Sequence, residues 1–251
     1  MNKRGKWQGM LAIAQFNWPF YVAAVAVLMV SLAGFLLMSA FPSRLVCVLA
    51  FAGAGYFLFG SLGVSHLIYD RSDLHRYGWL ERATKGCPMR QCIFCHSGFD
   101  EMSQALREKL ADAEWQILDH FNEAQLTEAS IHRARRMFPP TAVTLPAAFN
   151  RWPVSAKSAD AVFGLLAIHE FRRESERGEW FREARRCLKD GGRVVLVEHV
   201  RDLANFLAFG PGFFHFHSRG SWRRSWECAG FSVVDEFRIT PWLRVFVLVP
   251  R

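Results

Sequence analysis

The residues best equipped for chemistry in this chain are four histidines, three of them with carboxylate neighbours. His96, His120, His169 and His199 each close an apolar run of strand length, and Asp119, Glu170 and Glu198 adjoin three of them. A neutral imidazole beside a carboxylate can take a proton from a substrate or ligate a metal ion. Strands in a parallel sheet lie about 4.8 Å apart, so the ends of non-adjacent strands cannot all converge on one ion. His169 and His199 are therefore the candidate general bases, and no metal is expected. Cys87, Cys92 and Cys95 are also close in sequence, but Cys92 and Cys95 fall in a strand-like run where positions i and i+3 face opposite ways. The cysteines read as free thiols in a reducing compartment.

These groups need a scaffold that sets strand ends side by side, and residues 160–200 supply one. Asp160 opens an apolar run, residues 161–168, too unbroken for a half-exposed strand and suited to one buried on both faces. Trp180, Phe181, Ala184, Cys187 and Leu188 then recur at helical spacing among charges, predicting an amphipathic helix over 174–188. Lys189-Asp190-Gly191-Gly192 is expected to stop that helix, with glycine taking the left-handed conformation past its end. Residues 194–197 form a second buried strand that ends in Glu198 and His199. Strand, helix, strand in this order predicts a right-handed crossover in a parallel sheet, and ligands of such sheets sit beyond the carboxyl ends of the strands.

The flanking chain extends the alternation. Residues 91–95 (QCIFC) read as a strand, 102–110 as a helix, 115–118 as a strand ending at Asp119-His120, 127–138 as a helix and 142–145 as a further strand. A helix over 222–229 leads to strands over 231–238 and 245–249, expected to pair as an antiparallel hairpin on the sheet edge.

The first ninety residues are different. They carry +6 of the chain's net charge of +8, and residues 19–40 contain no charge at all. About twenty apolar residues cross a bilayer, and this run exceeds the 7–15 of a signal-peptide core. A second uncharged run over 45–69 follows the short turn Phe41-Pro42-Ser43-Arg44, and its Gly53, Gly55, Gly60 and Gly63 are the small residues that let helices approach closely. The reading is a hairpin of two transmembrane helices (about 19–40 and 45–69) in an anchor over 1–69, a connector over 70–89 and an α/β domain over 90–251. Lys3, Arg4 and Lys6 precede the hairpin and Arg71, Arg76, Arg82, Lys85 and Arg90 follow it, so both ends face the cytoplasm by the positive-inside rule. The expected location is the inner (cytoplasmic) membrane, multi-pass. The basic excess belongs beside lipid headgroups; no basic stripe on the soluble part suggests nucleic acid.

The soluble part resembles a known family. WPVSAKSADAVFGLLAIHEF is similar to the stretch through the fourth strand of class I S-adenosylmethionine-dependent methyltransferases of the type 11 kind. FREARRCLKDGGRVVLVEH resembles their next helix, glycine turn and fifth strand, and AGFSVVDEFRITPWLRVFVL their terminal hairpin. The resemblance covers about residues 90–251 and implies a Rossmann-like sheet with helices on both faces. It implies S-adenosylmethionine as cofactor, with His96, Gly98, Asp119 and His169 at its site and Asp119 on the ribose hydroxyls. The family's glycine-rich loop is here CIFCHSGFDEMS, with Gly98 its only glycine. Either the loop takes another course, or the cofactor binds differently, or it does not bind.

The aromatic segment 203–222 holds Phe206, Phe209, Phe213, Phe214, Phe216 and Trp222 around Gly210-Pro211-Gly212, with His215 and His217 between. It reads as a core-covering lid, a pocket for an apolar substrate, or a surface that dips into the bilayer; Arg219, Arg223 and Arg224 could meet lipid phosphates or form a solvated helix face. The leading expectation is a membrane-anchored methyltransferase acting on a lipophilic small molecule or lipid. The second is a catalytically silent methyltransferase-like subunit with a protein partner in a membrane assembly, and a Rossmann oxidoreductase fits less well.

Overall fold

The structure is a computed structural model in which residues 5–251 are described; Lys3 and Arg4, named above among the flanking charges, lie outside them. The chain divides into two compact units. The first runs to Arg71 and also takes in Leu203–Phe213; the second holds Ser72–Asp202 and Phe214–Arg251.

The first unit contains α1 (Gln8–Phe16), α2 (Trp18–Leu37) and α3 (Phe41–His66), which runs on as a π turn, Leu67–Arg71. By length and composition α2 and the run Phe41–Arg71 are candidate membrane spans, and their apolar side chains are exposed, Val30 to 71% and Phe59 to 73%. The reversal between them is not the expected Phe41–Arg44 turn. Those four residues form the first turn of α3, where proline's missing N–H costs no hydrogen bond, and Arg44 Nε reaches back 2.9 Å to the Met38 carbonyl. Of the expected glycines Gly55 faces α2, where a Cβ would meet Leu28 Cδ2 at 3.9 Å. A Cβ on Gly53 or Gly63 would meet nothing within 4 Å, whereas one on Gly34 of α2 would lie 2.9 Å from Cys47 Sγ. His66 belongs to a small polar knot: its Nδ1 lies 2.9 Å from Asp70 Oδ2, and the Asp70 carboxylate accepts the N–H groups of Gly9 and Met10 at 2.7 and 3.1 Å. A carboxylate there satisfies first-turn amides of α1 that have no helical partner.

The strands of the second unit are β1 (Gln91–His96), β2 (Glu114–Asp119), β3 (Thr144–Pro146), β4 (Ala159–Leu165), β5 (Leu188–His199), β6 (Phe231–Thr240) and β7 (Leu243–Pro250). They form one seven-stranded sheet in the order β3-β2-β1-β4-β5-β7-β6. β1 to β5 pair in parallel, and β7 enters antiparallel between β5 and β6. The helices are α4 (Trp79–Thr84), α5 (Ser103–Lys109), α6 (Ala129–Met137), α7 (Glu174–Cys187), α8 (Leu203–Phe209) and α9 (Arg219–Cys228). Of these, α8 belongs to the first unit, within which Tyr56 Oη donates to the Leu207 carbonyl at 2.6 Å.

β4 is buried along its whole length between β1 and β5, the position its unbroken apolar run demands. The crossover β4–α7–β5 is as expected, but its glycine turn is not. α7 ends at Cys187, and Leu188 already pairs with Ala159 as the first residue of β5. Lys189–Gly192 form a bulged strand entry where the register shifts between Ala159 and Ala161, and Gly191 takes φ +82° inside it. An apolar Leu188 gains more from burial beside the sheet than from another helical turn.

Candidate active site

Two groups of side chains gather at the carboxyl ends of the parallel strands. The first lies at the ends of β1 and β2. His96 and Asp119 are paired in register, and His96 Nδ1 stands 3.5 Å from Asp119 Oδ1. His96 Nδ1 accepts the Gly98 N–H at 3.3 Å, so its proton belongs on Nε2, which is buried and, like the buried Ser97 Oγ, has no hydrogen-bond partner among the described residues. Burial lowers the pKa of His96 against the pull of Asp119 and Asp100. Asp119 Oδ1 accepts the Phe121 N–H at 3.0 Å, and Oδ2 pairs with Arg135 of α6.

The loop after β1 leads from His96 into α5 at Ser103. Asp100 caps α5, accepting the N–H groups of Met102 and Ser103 at 3.0 and 2.9 Å. Gly98 has φ +100°, and a Cβ there would come 2.6 Å from the Phe121 ring, so only glycine fits. Two buried unpartnered polar atoms beside a carboxylate are the setting that a polar cofactor's amino-acid and ribose groups require. The residues present are of the kind S-adenosylmethionine needs, and the Asp119 carboxylate is paired with Arg135.

The second group lies at the ends of β4 and β5. Leu166 adopts φ +54°, which folds the chain back so that the N–H groups of Ala167, Ile168 and His169 converge on Glu198 Oε1 at 3.2, 2.9 and 3.2 Å. Three amides around one carboxylate oxygen form an anion nest. Gly164 permits it, since a Cβ there would meet Ile168 Cγ1 at 2.7 Å. Glu198 Oε2 holds His169 Nδ1 at 2.6 Å, and His169 Nε2 faces Glu170 Oε1 at 3.5 Å. His215 completes the group, with Nε2 at 3.6 Å from the same Glu170 oxygen and Nδ1 at 3.6 Å from Glu128 Oε1. Burial opposes charge on His169, but Glu198 and Glu170 outweigh it and raise its pKa to about 10. His215 is raised as well, by Glu128 and Glu170 against burial, and Glu170 is held well below the usual carboxylate range by His169 and His215.

His215 is positioned by its backbone. Arg172 donates to the carbonyls of His215 and Phe214, Arg201 donates to those of Phe214 and Phe216 at 2.6 and 2.8 Å, and Val200 bridges to His217. Of the residues expected from sequence, His169 is therefore in the cluster, while His96, Gly98 and Asp119 meet at the other group. His199 lies apart, buried and stacked on the Phe216 ring with centroids 4.5 Å apart. His120 is a packing residue: Nδ1 donates to the Ala147 carbonyl at 2.9 Å, Nε2 accepts from Trp180 Nε1 at 3.1 Å, and burial lowers its pKa to about 4. Glu128, Arg172 and Arg201 carried no signal in the sequence. His215 carried one, being a histidine in an otherwise aromatic segment beside the family's fifth strand.

Two other expectations resolve here. Arg219, Arg224 and Arg223 are engaged by Glu236, Glu174 and Glu227 at 2.6, 2.9 and 2.8 Å, the pattern of a solvated helix face. All six cysteines are free, and burial pushes the Cys92 thiol to about 12 and Cys95 well above its ordinary value.

Residues 109–196 match the family of the methyltransferase domain. Over those residues the chain is similar to methyltransferase domains. Solved structures agree with that fold. A SAM-dependent methyltransferase from Aquifex aeolicus superimposes with a TM-score of 0.50 at 14% identity, over 67% of this chain and 87% of that one. The mitomycin 7-O-methyltransferase MmcR gives a TM-score of 0.56 at 13% identity, over 99% and 74% of the two chains. The complex of LepI with SAM gives 0.50 at 16%, over 68% and 46%. No curated protein matches the sequence. The cofactor of such methyltransferase domains is S-adenosylmethionine, and the expected Rossmann-like fold is the one found.

Proposed function

We propose that this chain is a membrane-anchored methyltransferase that moves the methyl group of S-adenosylmethionine to a lipophilic small molecule or lipid. The observation that carries the chemistry is the pairing of two polar groups along one edge of the sheet, a cofactor group at β1 and β2 and an acceptor group at β4 and β5. S-adenosylmethionine, when bound, supplies an electrophilic methyl group. His96 Nε2, Ser97 Oγ and Asp119 would hold it, and Asp119 would receive the ribose hydroxyls. His169, fixed through Nδ1 by Glu198, faces the acceptor's nucleophilic atom together with Glu170 and His215. Anchoring is supported by the exposed apolar surfaces of α2 and α3, and a cytoplasm-facing domain by the basic residues that follow them.

The test is calorimetry of the full-length protein in detergent with S-adenosylhomocysteine. Binding in the micromolar range that Asp119→Asn weakens is the expected result; folded protein that binds nothing overturns the reading. Transfer of labelled methyl from the cofactor into a membrane lipid extract tests the acceptor class, and resistance to carbonate extraction tests the anchor. One observation favours the rival, a catalytically silent subunit that binds a protein partner: Asp119 already has Arg135 and the Phe121 N–H as partners. In that case calorimetry is silent and a stoichiometric protein co-purifies.

A further inference from the structure

His169, Glu170 and His215 each offer one ligand atom, and the three atoms lie within 4.8 Å of one another. Two ligand atoms bound at ~2.1 Å to a tetrahedral ion stand about 3.4 Å apart. The distances from Glu170 Oε1 to His169 Nε2 and His215 Nε2 are 3.5 and 3.6 Å, so little movement is needed.

The surroundings point the same way. A histidine that ligates metal through one nitrogen ordinarily gives the other to a carboxylate, which fixes its tautomer and makes it a better donor. His169 has that partner, Glu198 at 2.6 Å from its Nδ1, and for His215 the carboxylate of Glu128 stands 3.6 Å from Nδ1, in ion-pair range. Both Nε2 atoms are thereby turned to the same carboxylate. Glu170 itself is buried, only 8% exposed, and its Oε2 has no hydrogen-bond partner among the described residues. A buried carboxylate oxygen without a donor is costly and calls for a ligand. Arg172 directs its donors to the carbonyls of Phe214 and His215, and its Nη1 also stands 3.4 Å from His215 Nδ1. That leaves three carboxylates around two imidazoles.

We propose that His169, Glu170 and His215 bind a divalent transition-metal cation of the Zn²⁺ kind, oriented by Glu198 and Glu128. Two nitrogens and one oxygen suit Zn²⁺, Co²⁺ or Mn²⁺ better than Mg²⁺ or Ca²⁺, which prefer all-oxygen sites. Three protein ligands leave a coordination position open, as metal sites that bind an outside oxygen do. Within the methyltransferase reading, that position would hold the acceptor's hydroxyl and ease loss of its proton to solvent. Metal binding itself does not depend on that reading. The sequence alone argued against a metal because strand ends cannot converge; here the third ligand comes from the segment after β5.

The test uses the full chain in detergent, stripped with chelator, on a Cys228→Ser background that removes the exposed thiol. Titration with Co²⁺ should give the visible absorption of a four- or five-coordinate site at one equivalent. Competition with Zn²⁺ should bleach it. Glu170→Gln and His215→Ala should each weaken binding at least tenfold, and Glu198→Gln about 10- to 100-fold without removing a ligand. Folded protein that takes up no Co²⁺, or that binds it equally in Glu170→Gln, overturns the proposal. Glu170→Gln is isosteric and carries the test if His215→Ala does not fold. S-adenosylhomocysteine calorimetry on the same samples separates failure of the metal site from failure of the cofactor site.

Discussion

Glu198 is the side chain on which the acceptor group hangs, and its replacement by glutamine gives a sharp test of the geometry. The carboxylate is fully buried and makes four hydrogen bonds, three to backbone amides through Oε1 and one to His169 through Oε2. Bonds to a charged acceptor are worth about 1.5–3 kcal/mol and neutral ones about 0.5–1.5, a difference of roughly 1 kcal/mol each. In Glu198→Gln the amide oxygen keeps the three backbone donors as neutral bonds, at a cost of about 3 kcal/mol. The amide nitrogen then faces His169 Nδ1 and drives its proton to Nε2. Glu198→Ala would instead bury three unpaired N–H groups at about 1–3 kcal/mol each, comparable with the whole stability of a domain. Glutamine is therefore the usable variant. Urea unfolding in detergent, followed by the fluorescence of the buried Trp180, Trp222 and Trp226, reads the loss. A Glu198→Gln protein within about 1 kcal/mol of the parent would refute the view that a charged carboxylate holds the turn after β4.

Three further outcomes follow from the same contacts. Arg135 competes with the ribose for Asp119, so Arg135→Met should tighten S-adenosylhomocysteine binding up to about fivefold, the worth of a half-exposed ion pair; weaker binding would mean that Arg135 itself contacts the ligand. Gly98→Ala places a Cβ 2.6 Å from the Phe121 ring at φ +100° and should lower stability by about 1–3 kcal/mol. Adding Phe121→Ala should recover only part of that loss in a thermal melt, because the backbone strain remains. Asp160 accepts the N–H groups of Arg90 and Gln91 at 2.9 and 2.8 Å and the Lys189 ammonium at 2.9 Å. Burial raises its pKa, but Lys189 and the two amides outweigh it and the net shift is downward. A depressed folded value means stabilisation that is complete above the unfolded pKa near ~3.9 and lost as pH falls through the folded one. Asp160→Asn should flatten the fall in stability below about pH 4, and an unchanged acid profile would exclude this carboxylate as its source.

The fold was legible because its strongest signals are local. The apolar run of residues 161–168 suited a doubly covered strand, which it forms as far as Leu165, and the charged stripe after it suited a surface helix. What pattern could not fix was where one element hands over to the next. Gly191 and Gly192 looked like a helix stop because glycine follows helices often, yet Leu188 pairs with Ala159 and draws the start of the strand back six residues, from 194 to 188. In the hairpin, Pro42 looked like a turn and proved to be a helix start, the other place where a missing N–H is harmless.

The site was legible only as far as it lies on strand ends. His96, Asp119 and His169 follow from the rule that ligands gather at the carboxyl edge of a parallel sheet. The same rule offered His199, whose ring stacks on Phe216, while His120 is saturated by Trp180 and Ala147. His215 lies beyond the rule, because its place is set by Arg172 and Arg201 clamping the carbonyls of residues 214–216 rather than by any strand. Those arginines hold backbone, so their own side chains say nothing of chemistry in sequence. If the clamp rather than the strand edge fixes the third member of the acceptor group, Arg201→Met should weaken Co²⁺ binding while leaving S-adenosylhomocysteine affinity unchanged. Equal loss of both would show that the two groups rise and fall with the whole strand edge, and that His215 is not held independently.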